Sequence, residues 1–294
     1  MYLSASHGIA YMRLDESCLS AKESFTEMKD AGFDALDVGL WHYCSDRRYL
    51  LRDDWEKGLD EICAAAAETG LPVNQTHGDT MTGMQWDDPA YPRRAEHFEM
   101  LFRCIEGARR LGAKYMVMHP YNLPHKPLYS VKENREACIA YLAPYIEAAK
   151  KAGICIAVEN MVDFGRKHRR YCGGDIYELI DLVDTINDPS VGICLDTGHA
   201  NISGINPAAA VRAIGKKRLF CTHINDNHAQ KGLDEHLFPY FGDIDWASVV
   251  RALKEIGYEN DFSYEACVTP IPDEFRPAWL RYTVELGRHL LSIE

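Results

Sequence analysis

The sequence lacks several features that would point to particular functions. Its 294 residues carry a net charge of −12 at pH 7. The sequence therefore lacks the excess of basic residues that non-specific binding to nucleic acid or to an anionic membrane requires. No apolar run is long enough for a membrane span, and no charged and apolar leader precedes the first strand-like segment. We therefore expect no membrane association, and nucleic acid is an unfavoured partner.

The ten cysteines do not predict a disulfide framework. None of them forms a Cys-x-x-Cys pair, and Cys155, Cys194 and Cys221 lie in or beside apolar strand-like runs, where cysteine acts as a small hydrophobic residue. Since nothing marks the chain for export, reduced thiols are the simpler interpretation. We expect a cytoplasmic protein.

Hydrophobic residues make up 47% of the chain and charged residues 26%, both near the values of ordinary soluble globular proteins. The length lies within the range that α/β barrels occupy as one unit. Because no segment resembles a linker, we expect a single domain over residues 1–294.

Short β-rich runs alternate with longer amphipathic runs, a pattern that favours a parallel sheet crossed by helices. The predicted strands are Tyr2–Ser6, Ala35–Val38, Pro72–Thr76, Tyr115–His119, Ile154–Glu159, Val191–Asp196, Leu219–His223 and Phe262–Glu265. Apolar residues returning at three and four positions predict helices. These helices include Asp54–Thr69, Pro92–Leu111, Glu133–Ala152, Asp175–Ile186, Ala208–Ile214, Trp246–Ile256 and Pro277–Leu291.

Five glycines stand where a helix gives way to a strand, at Gly32, Gly70, Gly112, Gly153 and Gly257. Glycine is favoured there because the residue after a helix often adopts the left-handed conformation. An open doubly wound sheet would usually have fewer strands and a glycine-rich phosphate turn, and neither G-x-G-x-x-G nor G-x-x-x-x-G-K-[ST] is present. The sequence therefore predicts an α/β protein that forms a single (β/α)₈ TIM barrel.

The last four predicted strands each end in a residue that can bind a metal. These residues are Glu159, Asp196, His223 and Glu265. The carboxyl ends of barrel strands form the active-site face, and each interval is long enough for one helix crossover. Three carboxylates and one imidazole at one rim would repel one another without a cation between them. We therefore predict one bound divalent ion, either Mn²⁺, Mg²⁺, Co²⁺ or Zn²⁺.

Several motifs together resemble the xylose isomerase-like barrel superfamily, and within it the sugar (phosphate) isomerase/epimerase branch. They are Val-Glu-Asn at 158–160, Leu-Asp-Thr-Gly-His at 195–199, Thr-His-Ile-Asn-Asp at 222–226, Asp-Glu-His-Leu at 234–237, Gly-Asp-Ile-Asp-Trp at 242–246 and Tyr-Glu at 264–265. The match covers almost the whole chain in order and spacing.

The resemblance to ketohexose 3-epimerases implies that Glu159 and Glu265 are both metal ligands and the acid/base pair, on opposite faces of a bound sugar. One glutamate would take a carbon-bound proton and the other would return it through a cis-enediolate. His199 matches the substrate-contacting histidine of those enzymes. Their arginine shortly after the His223 position is missing here, because residues 225–229 hold no arginine.

A more distant resemblance is to endonuclease IV, which binds three zinc ions through nine side chains and cuts DNA at abasic sites. Residues of the same types as those nine ligands are present in this sequence, at His77, His119, Glu159, Asp196, His199, His223, Asp234, His236 and Glu265. The segment Asp234–Leu237 lacks the basic residue that the nuclease has between its Asp and His, and the negative charge also favours the isomerase. A second or third metal remains open, and we predict that His77, His119, Asp234 and His236 line the substrate pocket.

Other interpretations stay open at this point. Each strand-end polar residue alone could be solvated, His77 and His119 could be hydrogen-bonded rim residues, and the basic run 166–170 could bind a phosphate or only face solvent. A sugar or inositol dehydratase shares the enediolate chemistry, whereas a ligand-binding or scaffold protein would need an incomplete metal set. The favoured prediction is a metal-dependent aldose–ketose isomerase or ketose epimerase that acts on a small polyhydroxy carbonyl substrate. The sequence is compatible with a homo-oligomer.

Overall fold

Eight parallel strands alternate with helices along the chain. The computed structural model describes residues 1–10, 12–15, 17–40, 49–80, 94–121, 123, 128–162, 171–266 and 271–294. The strands are β1 Tyr2–Ser6, β2 Ala35–Gly39, β3 Val73–His77, β4 Tyr115–Met118, β5 Cys155–Glu159, β6 Val191–Asp196, β7 Leu219–His223 and β8 Asp261–Tyr264. The α-helices are α1 Ala21–Ala31, α2 Trp55–Thr69, α3 Arg94–Leu111, α4 Val131–Ala152, α5 Ile176–Ile186, α6 Thr197–Ile202, α7 Pro207–Arg218, α8 Trp246–Glu255 and α9 Arg276–Ser292.

The strands form one sheet in the order β7-β6-β5-β4-β3-β2-β1-β8, and every adjacent pair is parallel. Ile224 joins the two ends of this order. Its N–H donates to the carbonyl of Ser263 at 2.7 Å, and its carbonyl accepts from the N–H of Glu265 at 3.1 Å. The sheet therefore closes into a barrel with helices around it, which confirms the predicted (β/α)₈ TIM barrel.

The strand predictions differ from the structure by no more than one residue at any end. Tyr2–Ser6, Val191–Asp196 and Leu219–His223 match their predicted limits. Strand β8 lies one residue earlier than predicted, so Glu265 follows the strand, and His119 likewise follows β4.

Most predicted helices match the structure within two residues at each end, and two elements differ further. The predicted helix Ala208–Ile214 extends over Pro207–Arg218, with an interruption at Gly215, where φ is 70° and ψ is 162°. The short helix α6 was not predicted, because six residues show too little periodicity. The side chain of Asp196 starts α6 by accepting the N–H of His199 at 2.7 Å. Residues 92 and 93, the predicted start of α3, lie outside the described residues.

The five glycines at helix ends have the predicted conformation. Their φ angles lie between 71° and 100°, in the region that a side chain disfavours. At the end of α4, for example, the N–H of Gly153 bonds to the carbonyls of Ala149 and Lys150. These caps return the chain to the bottom of the barrel, where each following strand begins.

The barrel interior has one apolar side and one polar side. A small apolar cluster from β4 to β7 is separate from the main core between strands and helices, and it contains Tyr115, Val117, Ala157, Cys194 and Cys221. On the other side, β1, β2, β3 and β8 each contribute one buried polar residue: Ser4, Asp37, Gln75 and Ser263. The polar side lies below the mouth of the barrel.

Two further observations concern cysteine and the membrane. The eight cysteines in the described ranges are all free thiols, whereas Cys44 and Cys267 lie outside those ranges. Among the helices that the structure describes, none is both long enough and apolar enough to cross a bilayer.

Candidate metal centre

The four predicted metal ligands meet at the mouth of the barrel. Each of Glu159, Asp196, His223 and Glu265 offers one ligand atom, and these atoms lie within 4.8 Å of one another. Nδ1 of His223 lies 3.3 Å from Oε1 of Glu159 and 3.0 Å from Oε2 of Glu265. Glu265 keeps 21% of its side chain exposed, whereas Glu159 keeps 1%. The set is therefore buried but can be reached from solvent beside Glu265.

His77 and His119 lie against the other oxygen of Glu159. Their Nε2 atoms are 3.1 and 3.3 Å from Oε2 of Glu159, and the two rings meet edge to face with centroids 5.1 Å apart. Sequence reasoning placed both histidines in the pocket without identifying this shared carboxylate. Glu159 therefore belongs to two groups of candidate ligands, one on each carboxylate oxygen.

A third group forms around Asp234, in the segment after β7. Oδ2 of Asp234 lies 3.2 Å from Nε2 of His199 and 3.1 Å from Nε2 of His236. Nδ1 of His199 also lies 3.4 Å from Oε1 of Glu159, so the group adjoins the four-residue set. All nine side chains that the sequence singled out are brought together.

Hydrogen bonds to backbone carbonyls define which ring nitrogen is free. Nδ1 of His77 faces the carbonyl of Gly78 at 2.9 Å, Nδ1 of His199 faces that of Asn160 at 2.8 Å, and Nδ1 of His236 faces that of Glu265 at 2.7 Å. A carbonyl only accepts, so these Nδ1 atoms carry the hydrogen and Nε2 faces the carboxylates. His223 has the opposite arrangement, with Nδ1 toward the carboxylates.

The charges of the centre are strongly coupled. Burial disfavours a charged imidazole, yet Asp196, Asp234 and Glu159 together raise the pKa of His199 to about 10. Burial likewise opposes ionisation of Glu265, but His223 lowers the pKa of Glu265 to about 2. The carboxylates thus require positive charge beside them, which either protonated imidazoles or a metal ion would supply.

The residues fit a divalent cation. Among the described residues, neither ring nitrogen of the fully buried His223 has a hydrogen-bond partner, although Nδ1 faces two carboxylates. A neutral His77, with its hydrogen on Nδ1 toward the carbonyl of Gly78, would direct the lone pair of Nε2 at Oε2 of Glu159, an arrangement that needs a proton or a metal between the atoms. Mixed oxygen and nitrogen donors of this kind suit Zn²⁺, Mn²⁺, Co²⁺ or Mg²⁺.

Two asparagines hold Asp196 in place. Asn160 pairs with the backbone of Asp196 in both directions, at 2.7 and 2.9 Å. The side-chain N–H of Asn225 donates to Oδ2 of Asp196 at 2.6 Å. Sequence reasoning quoted both asparagines within motifs but gave them no role. Their position one and two residues after the strand-end ligands Glu159 and His223 was the available signal.

Asp226 organises the segment that carries Asp234 and His236. Its buried carboxylate accepts the N–H groups of Tyr240 at 3.0 Å and Ile244 at 3.1 Å, and the indole N–H of Trp246 at 2.8 Å. His236 has a φ of 46°, which is unusual for a residue other than glycine. The sequence gave no indication of this support. The basic run 166–170 lies outside the described residues.

The fold and the site define a β/α barrel with candidate metal ligands at its mouth, and the family follows from comparison with known proteins. The sequence model of the xylose isomerase-like TIM barrel family matches residues 25–285. The chain belongs to this family.

Relatives in the family have several activities. The chain is 33% identical to an uncharacterized protein of Methanocaldococcus jannaschii over 57% of this chain and 55% of that protein. It is 29% identical to the inosose isomerase of Bacillus subtilis over 62% and 61%, and 27% identical to the D-psicose 3-epimerase of Enterocloster bolteae over 81% and 74%. The first two alignments thus span less than two thirds of the relatives. A probable endonuclease 4 of Mycoplasmoides gallisepticum is 29% identical over 56% and 55%.

Solved structures share the fold over nearly the whole chain. A D-tagatose 3-epimerase-like protein superposes with a TM-score of 0.75 at 23% identity, covering 99% of this chain and 98% of that one. The IolI protein, solved with a zinc atom, has a TM-score of 0.69 at 19% identity, covering 99% and 98%.

Proposed function

We propose that this chain is a divalent-metal-dependent sugar or sugar-phosphate isomerase or epimerase. The observation that carries the proposal is the convergence of Glu159, Asp196, His223 and Glu265 at the barrel mouth. The sugar epimerases and inosose isomerases among its relatives support the reaction class. The substrate would be a small polyhydroxy carbonyl compound.

Those four residues would hold the ion. When bound, a divalent ion there would polarise the substrate carbonyl and lower the cost of removing the neighbouring carbon-bound proton. Glu159 and Glu265 both flank Nδ1 of His223, so two carboxylates would stand near one substrate. One would take the proton to give an enediolate and the other would return it.

The remaining residues would contact the substrate. His199 lies between Asp234 and Glu159, where Nε2 of its ring would contact a sugar hydroxyl. His77, His119, Asp234 and His236 extend the polar lining on either side of the four-residue set. The same atoms could hold a second or third metal, because His77, His119 and Glu159 form one group and His199, Asp234 and His236 another.

The test is proton exchange with solvent. Ketoses, their phosphates and inososes are incubated in D₂O with metal-loaded protein, and NMR follows deuterium entering beside the carbonyl. We expect exchange and a new isomer for at least one compound, and a loss of about 10³-fold or more in Glu265→Gln. Turnover and metal content both unchanged in Glu265→Gln would refute the mechanism. Release of a dehydrated product would instead identify a dehydratase.

One observation favours a second candidate, a zinc-dependent apurinic endonuclease. The nine side chains fall into four overlapping groups, and Glu159 belongs to two of them. A probable endonuclease 4 is also among the relatives. This candidate predicts cleavage of duplex DNA at an abasic site, abolished by chelation of zinc. No cleavage at high protein concentration with zinc present would eliminate it.

A further inference from the structure

Asp37 lies inside the barrel beneath His223, on β2, and has no role in the chemistry described above. It is 1% exposed. Its Oδ2 lies 3.8 Å from Nε2 of His223, the ring nitrogen that faces away from Glu159 and Glu265. We propose that Asp37 is the positioning residue that selects the tautomer and orientation of His223 for metal binding. This inference rests on the proposed metal centre.

The carboxylate of Asp37 is itself held from two sides. Its Oδ2 accepts the amide N–H of Gln75 at 2.7 Å and the hydroxyl of Ser263 at 3.0 Å. Three strands, β2, β3 and β8, thus fix one carboxylate below the centre. Among the described residues, its Oδ1 has no hydrogen-bond partner, so this buried oxygen retains the capacity to accept one.

The other histidines of the centre show why His223 differs. His77, His199 and His236 direct Nδ1 to backbone carbonyls, which fixes their hydrogen on Nδ1 and leaves Nε2 for a ligand. His223 must do the reverse, because its Nδ1 faces Glu159 and Glu265. It therefore needs its hydrogen on Nε2. Asp37 is the carboxylate placed beside that nitrogen.

A carboxylate beside the remote nitrogen of a metal-binding histidine favours the tautomer that frees the other nitrogen, and it increases the basicity of the ring. The 3.8 Å separation is longer than a hydrogen bond, so the contact is electrostatic. A shift of about 0.8 Å would bring the atoms to ordinary hydrogen-bonding distance. Asp37 does not reach the reacting atoms and acts through His223.

The experiment measures His223 directly in protein labelled with ¹⁵N-histidine, whose His223 signals are assigned by their loss in His223→Gln. In metal-free wild-type protein we expect the hydrogen on Nε2, and in Asp37→Asn a shift of the tautomer equilibrium toward Nδ1. Titration with Zn²⁺ then reports occupancy at His223 itself. We expect Asp37→Asn to weaken Zn²⁺ binding there by about 10–100-fold.

Asp261→Asn is the matched control. Asp261 is also a buried carboxylate, located at the start of β8, where Asn74 donates to it at 2.8 Å. A general cost of removing a buried charge would affect both variants, so we expect Zn²⁺ affinity and His223 signals to stay near wild type in Asp261→Asn. Equal losses in the two variants would overturn the inference.

The outcomes separate this inference from the proposed function. If His223 of wild-type protein does not respond to Zn²⁺, the metal centre is wrong and the inference fails with it. If wild type responds and Asp37→Asn responds with the same affinity and tautomer, only the role of Asp37 is wrong. Should Asp37→Asn not fold, Ser263→Ala decides: a weakening of about 3–10-fold supports the inference, and unchanged affinity overturns it.

Discussion

Gly198, at the start of α6, gives a sharp test of how the metal centre is packed. In an ordinary helix, replacing glycine by alanine stabilises the protein by about 1 kcal/mol. Here an added Cβ would lie 1.8 Å from Oδ1 of Asn225 and 2.8 Å from Nδ2 of Asn227. Both side chains are buried. We therefore expect Gly198→Ala to destabilise the protein.

The magnitude follows from what Asn225 must give up. To avoid the new methyl group, Asn225 has to move away from Asp196, to which it donates at 2.6 Å. Loss of a buried hydrogen bond to a charged group costs about 1.5–3 kcal/mol, and the crowding itself costs about 1–3 kcal/mol. After subtraction of the helix gain, the free energy of unfolding should fall by about 1.5–5 kcal/mol.

Urea denaturation of Gly198→Ala, Asn225→Ala and the double variant measures this effect. Because Asn225→Ala removes the atom that the new methyl group meets, the double variant should lose less stability than the sum of the single variants, by about 2.5 kcal/mol or more. A Gly198→Ala protein as stable as wild type, or more stable, would refute the packing argument.

Two further predictions concern stability and the segment after β7. Hydrogen bonds from Lys150 and Ser190 lower the pKa of Asp188 to about 2, below its value in the unfolded chain. Its contribution is therefore present above about pH 4 and is lost as the pH falls toward 2. Asp188→Asn should lower the free energy of unfolding by about 1–2 kcal/mol at pH 6 and leave it nearly unchanged near pH 2. Urea denaturation at the two pH values measures this difference, and an equal loss at both would contradict the assignment. Asp226→Asn should lower the free energy of unfolding by about 2–4 kcal/mol and speed amide hydrogen exchange at Tyr240 and Ile244. Replacement of the exposed Asp243 by Asn should change neither quantity.

The fold was predictable because hydrophobic alternation and the glycines at helix ends are local signals. Strand-end placement of Glu159, Asp196, His223 and Glu265 was likewise sufficient to predict that they meet, since all parallel strands of a barrel end at one face. The short helix α6 escaped prediction because it depends on one capping contact between Asp196 and the His199 N–H.

The supporting residues could not be predicted from the sequence. Asp37 appears there as one acid within a strand, and its relation to His223 depends on which side chains of distant strands face each other inside the barrel. In the same way, the position of His77 at a strand end does not reveal that it shares Oε2 of Glu159 with His119. Such pairings arise from closure of the sheet.

The most direct test of the proposed centre is a crystal structure of protein purified without chelators, with anomalous data collected on either side of the absorption edges of zinc, manganese and cobalt. We predict an ion bound by Glu159, Asp196, His223 and Glu265, and additional peaks beside His119 or His236 would show how many metals the centre holds. No ion at the four-residue set, even after crystals are soaked in each metal, would contradict the account.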